Sequence, residues 1–231
     1  STESVVGRAG QMLAVAARNQ VIAAAVKPFN DADIPLEIID VPEFAQRNIA
    51  RYLAPDGNGV ALLSLDDRSG LLTFTRGGEL YQHRRIDVTL ASLRGASPGE
   101  EEGAELRMEL EGPYERLAVE LQRSLDHFDR QFPRVGVAKL VVTPVPGAEK
   151  LRGYLGNRLD LPVELLYLSE VMDFPDIVEL HEPARQVQCL QLIGGALRCA
   201  YWRHLSESSS AKCITRASPA CFSRNAPIDE L

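Results

Sequence analysis

The chain has 231 residues, 45% of them hydrophobic, and a formal net charge of −7. That length and apolar content suffice for one large domain or two lobes with a core. The acidic balance argues against nucleic acid or an anionic membrane surface as the main partner. No apolar run approaches the roughly 20 residues of a spanning helix, and the opening Ser-Thr-Glu-Ser-Val-Val-Gly-Arg lacks the pattern of a secretory leader. Cys189, Cys199, Cys213 and Cys221 form no CxxC pair, and His83, His127, His181 and His204 share no ligand spacing with one another or with the cysteines. Neither a disulfide framework nor a zinc site is indicated. The expectation is a soluble cytoplasmic protein with no direct membrane insertion.

Gln11–Ala17 reads as a strand that runs on through Arg18-Asn19-Gln20 into an alanine-rich helix, Val21–Phe29. Asn30 to Pro35 breaks it, and Leu36–Asp40 is a short strand. Pro42 suits the first turn of a helix reaching Leu53, with Phe44, Ile49 and Leu53 turned to the core and Arg47 and Arg51 outward. Pro55-Asp56-Gly57-Asn58-Gly59 is a strong break and the best boundary between lobes.

Gly59 to Arg85 reads as three consecutive strands. Gly59–Leu65 is a near-continuous apolar run, short enough for a buried strand. Asp66-Asp67-Arg68-Ser69-Gly70 supplies a turn, because Asp and Ser bond their own backbone and Gly tolerates positive φ. Leu71–Thr75, a hairpin turn at Arg76-Gly77-Gly78, and an alternating Glu79–Arg85 complete the meander. A buried strand that ends in an acidic, glycine-containing turn is also how phosphate-handling folds present ligand loops. An ordinary polar turn is the plainer reading.

Leu93–Gly112, acidic and rich in small residues, reads as a solvated loop. Gly112-Pro113 then starts the clearest helix, in which Tyr114, Leu117, Leu121, Leu125, Phe128 and Phe132 form one apolar stripe. Ala138–Thr143 is a β-branched strand, followed by a Pro-Val-Pro-Gly turn, a helix from Ala148 to Leu159 and a strand Pro162–Leu166, a β-α-β unit. Ala184–Leu197 is a last helix whose Gly194 and Gly195 permit close approach of another helix or of a flat ligand. From Cys199 the serine-rich composition describes an unpacked tail, 199–231.

The order and spacing of five segments resemble the type IV pilus assembly PilM family, and within it the mannose-sensitive haemagglutinin (MSHA) pilus branch. They are MLAVAARNQVIAAAV; IPLEIIDVPEFAQRNIARYL; GVALLSLDDRSGLLTFTRGGELYQHRRIDV; LAVELQRSLDHFDRQFP with AKLVVTP; and LRGYLGNRLDLPVELL with LIGGALR. The resemblance implies an α/β, actin-like (ribonuclease H-like) ATPase fold. It implies a remnant of the first lobe over 1–55, a largely complete second lobe over 56–198, and a first phosphate loop missing from this chain. It also implies a cytoplasmic protein, peripheral to the inner membrane, that docks the cytoplasmic tail of a single-span inner-membrane pilus assembly protein. By the same resemblance Asp66, Asp67, Ser69 and Gly70 match the second phosphate loop, Gly194 and Gly195 the adenine-side glycines, and Asp66 and Asp67 are the candidate metal ligands. ATP and Mg²⁺ are the implied cofactors.

Departures from the pattern argue for neither cofactor in this chain. Arg68 stands where active members carry a glycine that lets backbone approach phosphate, and the paired aspartates repel a triphosphate unless Mg²⁺ intervenes. Thr143-Pro144-Val145-Pro146-Gly147 replaces a glycine-rich turn, and its prolines remove two backbone donors. A scaffold with degenerate nucleotide loops is the first reading. An actin-like ATPase or sugar-kinase-like phosphotransferase that binds Mg-ATP is the second. A homodimer through apolar surface left uncovered is a further expectation.

Overall fold

The structure, a computed structural model, describes residues 14–36, 38–54, 57–95, 104–172, 174 and 178–207. The chain divides into two compact units, Ser1–Ile39 with Arg203–Leu231, and Asp40–Trp202.

In the first unit the described secondary structure between 14 and 39 is a helix, α1 (Asn19–Asp31), with Pro28 inside it. Of the expected strand Gln11–Ala17, residues 14–17 are not a strand, and Leu36, Ile38, Ile39 and Asp40 of the expected strand Leu36–Asp40 are not one either; residues 11–13 and 37 lie outside the described residues. A strand is stabilised by its ladder, and no partner strand pairs with these residues among those described. No residue of α1 is buried, and Val21, Ile22 and Phe29 are exposed along it.

The second unit is built on a five-stranded sheet. Its strands are β1 (Gly59–Leu65), β2 (Gly70–Arg76), β3 (Glu79–Ile86), β4 (Val137–Val142) and β5 (Val163–Leu165), in the order β3-β2-β1-β4-β5. The expected meander pairs antiparallel, with Leu62 opposite Thr73 and Leu72 opposite Arg84. β4 joins β1 in parallel, with Ala61 opposite Leu140, and β5 extends the parallel half. Gly77 and Gly78, at φ 57° and 80°, make the β2–β3 turn, as a tight hairpin demands.

β1 lacks alternation because both of its faces are covered. Ala61, Leu63 and Leu65 join Leu72, Phe74, Leu140 and Val142 in one core, beneath α4 (Ala104–Gln131) and α5 (Ala148–Gly156). Val60 and Leu62 join Val141 and Leu168 in a second core, beneath Ile49 and Ala50 of α2 (Pro42–Leu53). The α2 helix, expected to precede the boundary at 55–59, therefore shares the sheet's core; Pro55 and Asp56 lie outside the described residues.

All six members of the apolar stripe at 114–132 are buried. Phe128 stacks on Phe74 at 4.5 Å between ring centroids, and Tyr81 meets Phe132 edge-on at 5.5 Å. Each such side chain contributes about 1.5–3 kcal/mol of burial. The start of this helix corrects the expectation. It begins at Ala104, within the supposed loop, and carries Pro113 in its interior. Glu105 to Glu111 is a run of strong helix formers, and Gly112 has no Cβ to clash with the ring of the following proline. Leu90–Gly95 is a further short helix, α3.

The last expected helix is two. α6 (Pro183–Gln188) and α7 (Leu190–Glu207) meet at a turn on Cys189. Gln186 fixes the first of them, accepting a hydrogen bond from Leu168 N (2.8 Å) and donating to Leu180 O (2.9 Å). Helix α7 also runs through Cys199 to Glu207, so the first nine residues of the supposed tail are helical. Residues 208–231 lie outside the described residues.

Candidate nucleotide loop

The β1–β2 turn is the site that the sequence singles out, and β1 positions it. β1 lies parallel to β4, so the Asp66–Gly70 turn and the Thr143–Gly147 turn follow the carboxyl ends of neighbouring strands. Crevices at such ends are where open α/β sheets bind ligands. Thr143 ties the two ends together: its N–H donates to Leu63 O (2.9 Å), and its buried hydroxyl accepts from Leu65 N (3.4 Å).

Within the first turn, Asp66 serves its own backbone. Its Oδ1 accepts from Arg68 N (2.7 Å) and Ser69 N (2.8 Å), and its N–H donates to Ser69 O (3.0 Å). Its carbonyl accepts from Leu90 N (2.8 Å), which anchors the turn to the start of α3. The side-chain bonds form an Asx-type turn, and they occupy two of the amides that a bound phosphate would need. Asp67 and Arg68 project into solvent. Gly70 is buried in the sheet, where a Cβ would meet Leu65 Cδ2 at 2.9 Å and Ile86 Cβ at 3.0 Å. Close strand packing thus accounts for this glycine.

Gly194 packs elsewhere. A Cβ there would fall on the carbonyl of Ala45, and Asn48 Nδ2 donates to Gly194 O at 2.8 Å. It is therefore the contact point between α7 and α2. Gly195 faces open space. The six residues implied as cofactor ligands fall into one turn and one helix, and no described hydrogen bond links the two groups. Among the described residues no cluster of three or more His, Cys, Asp or Glu side chains is arranged to hold a metal.

In the second turn Val145 is buried and Gly147, at φ 79°, precedes α5. Ala148 N donates to Val145 O (2.8 Å). No backbone N–H is available at Pro144 or Pro146.

The polar side chains buried in this unit were not anticipated. Gln46 lies on the core face of α2, donating Nε2 to Ser64 Oγ and accepting from Thr73 Oγ1 at 2.9 Å. The core face of α2 is Ala45, Gln46, Asn48, Ile49 and Ala50, whereas Phe44 and Leu53 are only half-buried. Arg47, expected outward, is half-buried over the Phe44 ring at 4.9 Å, and burial pushes its guanidinium below the usual arginine range. Polar residues at core spacing on α2 were the available signal. Nearby, Arg198 Nη1 lies 3.0 Å from Asp40 Oδ2.

No family profile and no curated protein matches the chain. Among solved structures it is similar to the PilM-PilN type IV pilus biogenesis complex, at 18% identity and a TM-score of 0.52 over 77% of this chain. The match takes in 59% of that chain, so this protein spans less than two thirds of its relative's length. It is more distantly similar to component A of the Acidaminococcus fermentans (R)-2-hydroxyglutaryl-CoA dehydratase (13% identity, TM-score 0.44, 73% of this chain and 71% of that one). A similar distance separates it from an archaeal actin homolog in complex with ADP (12%, TM-score 0.37, 64% and 53%). The chain has the actin-like ATPase fold.

Proposed function

We propose that this protein is an actin-like scaffold of type IV pilus biogenesis, in the MSHA branch, and that its nucleotide loops are degenerate. It would act in the cytoplasm against the inner membrane, docking the cytoplasmic tail of a single-span assembly protein. The likeness to the PilM-PilN complex and the five-segment resemblance support the pilus assignment. The observation that carries the loss of nucleotide binding is the Asp66 carboxylate, bonded to the Arg68 and Ser69 amides. A loop whose donors are already satisfied gains little from a phosphate, and its two carboxylates repel one. No helix among the described residues is long and apolar enough to cross a membrane, which suits a peripheral role. Pull-down of the full-length protein with tail peptides of candidate inner-membrane partners tests the reading. Capture of such a peptide is expected, and failure with every pilus-operon tail would sink it.

The second reading, an actin-like ATPase or sugar-kinase-like phosphotransferase, has one observation in its favour. The Asp66–Gly70 and Thr143–Gly147 turns do share the ligand-binding end of the sheet, and Asp67 is exposed there. Calorimetric titration with Mg-ATP separates the readings: the scaffold predicts no heat, and micromolar binding would restore the enzyme. A homodimer through the exposed apolar side chains of α1 is a third element of the proposal, checked by sedimentation.

A further inference from the structure

β3 forms an edge of the sheet, and no other described strand pairs with its outer side. An edge strand presents a row of N–H and C=O groups that can template a further strand. Bulges and charge normally blunt such an edge, and here they fall on different parts of β3. The bulge takes up Tyr81, since Thr75 pairs with Leu80 and Phe74 with Gln82. From Gln82 to Ile86 the ladder is regular.

That regular stretch carries the charge. His83, Arg84 and Arg85 are consecutive and exposed. They lie opposite Thr73, Leu72 and Leu71, which puts His83 and Arg85 on the α2 side of the sheet and Arg84 on the α4 side. Neighbouring carboxylates leave them largely solvated. Glu43 of α2 approaches Arg85 at 3.6 Å while Arg85 stays 64% exposed, and Glu120 of α4 accepts instead from Asp87 N at 3.3 Å. Like charges opposed across strands are unfavourable and opposite charges favourable. Two copies meeting about this stretch would oppose arginine to arginine or histidine, whereas an acidic strand would find cations on both faces.

We infer that Gln82–Ile86 is a docking edge for an extended acidic segment of a partner protein, which adds as a sixth strand beside β3. Main-chain ladder bonds supply the affinity, and carboxylates opposite Arg84, Arg85 and His83 supply the selectivity. The inference stands apart from the pilus reading, which assigns no residue of β3 a role.

The test uses the intact chain and a fluorescent heptapeptide with three consecutive Glu flanked by pairs of Val, so that successive carboxylates reach both faces of the sheet, with its Lys counterpart as control. Anisotropy at low salt is expected to show binding of the acidic peptide alone. Hydrogen exchange is expected to show protection within Gln82–Ile86. Arg84→Glu with Arg85→Glu should weaken binding roughly tenfold and admit the Lys peptide. Should that variant unfold, Arg84→Gln and the exchange map of the unaltered chain decide. No binding of the acidic peptide, protection confined to other segments, or dimerisation through β3 in place of peptide binding would overturn the inference.

Discussion

The Cα of Gly194 sits so close to Ala45 that any Cβ would overlap the Ala45 carbonyl, and Asn48 seals the contact by bonding Gly194 O. Backbone cannot move aside as a flexible side chain can. Gly194→Ala is therefore expected to destabilise the protein by about 1–3 kcal/mol, the cost of overpacking a filled contact. Gly195→Ala, facing open space in the same helix, should be neutral or stabilising by up to about 1 kcal/mol. Urea unfolding of the two variants side by side checks the contrast. Equal effects would mean that α7 does not rest on α2 at this point.

Gln46 makes the second prediction. Its amide bonds the Thr73 and Ser64 hydroxyls between α2 and the sheet, with Gln46 and Thr73 both buried. Gln46→Leu keeps the volume but leaves the Thr73 hydroxyl only the long bond to Leu62 O at 3.5 Å, at an expected cost of about 1–3 kcal/mol. Replacing both, as Gln46→Leu with Thr73→Val, should recover part of that loss, because the half-buried Ser64 hydroxyl is then the one side-chain partner of Gln46 left unmet. A double variant no more stable than the single one would contradict this pairing.

Spacing made part of this legible beforehand. The stripe from Tyr114 to Phe132 and the meander around Gly77-Gly78 follow from periodicity and turn chemistry, and the structure has both. The extension of α4 back to Ala104 was not readable, because Pro113 carries the signature of a helix start and only Gly112 before it relieves the steric conflict. Leu36–Asp40 reads as a strand on composition, yet a strand exists only with a ladder partner, and local sequence does not report partners. Similarly, the aspartates at 66 and 67 announce a turn but not which amides the carboxylate will take.

Asp66 gives the third prediction. Its Oδ1 closes the turn on the Arg68 and Ser69 amides. Asp66→Asn keeps an acceptor oxygen and should cost little, while Asp66→Ala should lose roughly 1 kcal/mol. Thermal melts of the two variants measure the difference. Arg68→Gly relieves one departure from the nucleotide-loop pattern but leaves Asp66 in place. It is therefore expected to produce no Mg-ATP heat, and heat from that variant alone would show that Arg68, rather than the Asp66 lock, closes the loop.

The aromatic stack beneath α4 gives the fourth. Phe128 and Phe74 are buried and stacked at 4.5 Å, and Tyr81 and Phe132 close around Phe128. Phe128→Ala should cost about 3–5 kcal/mol, since it removes a large side chain from a site held on several sides. Phe74→Leu tests the stack more gently. A cycle of Phe74→Leu, Phe128→Leu and the double variant should show a coupling of about 0.5–1.5 kcal/mol beyond area burial. Because Phe74 belongs to β2 and Phe128 to α4, that coupling reports helix-to-sheet docking rather than the stability of either element. Additivity within error would mean that the rings contribute by burial alone. The geometry of the stack would then have no energetic part in holding α4 to the sheet that carries the Asp66 turn.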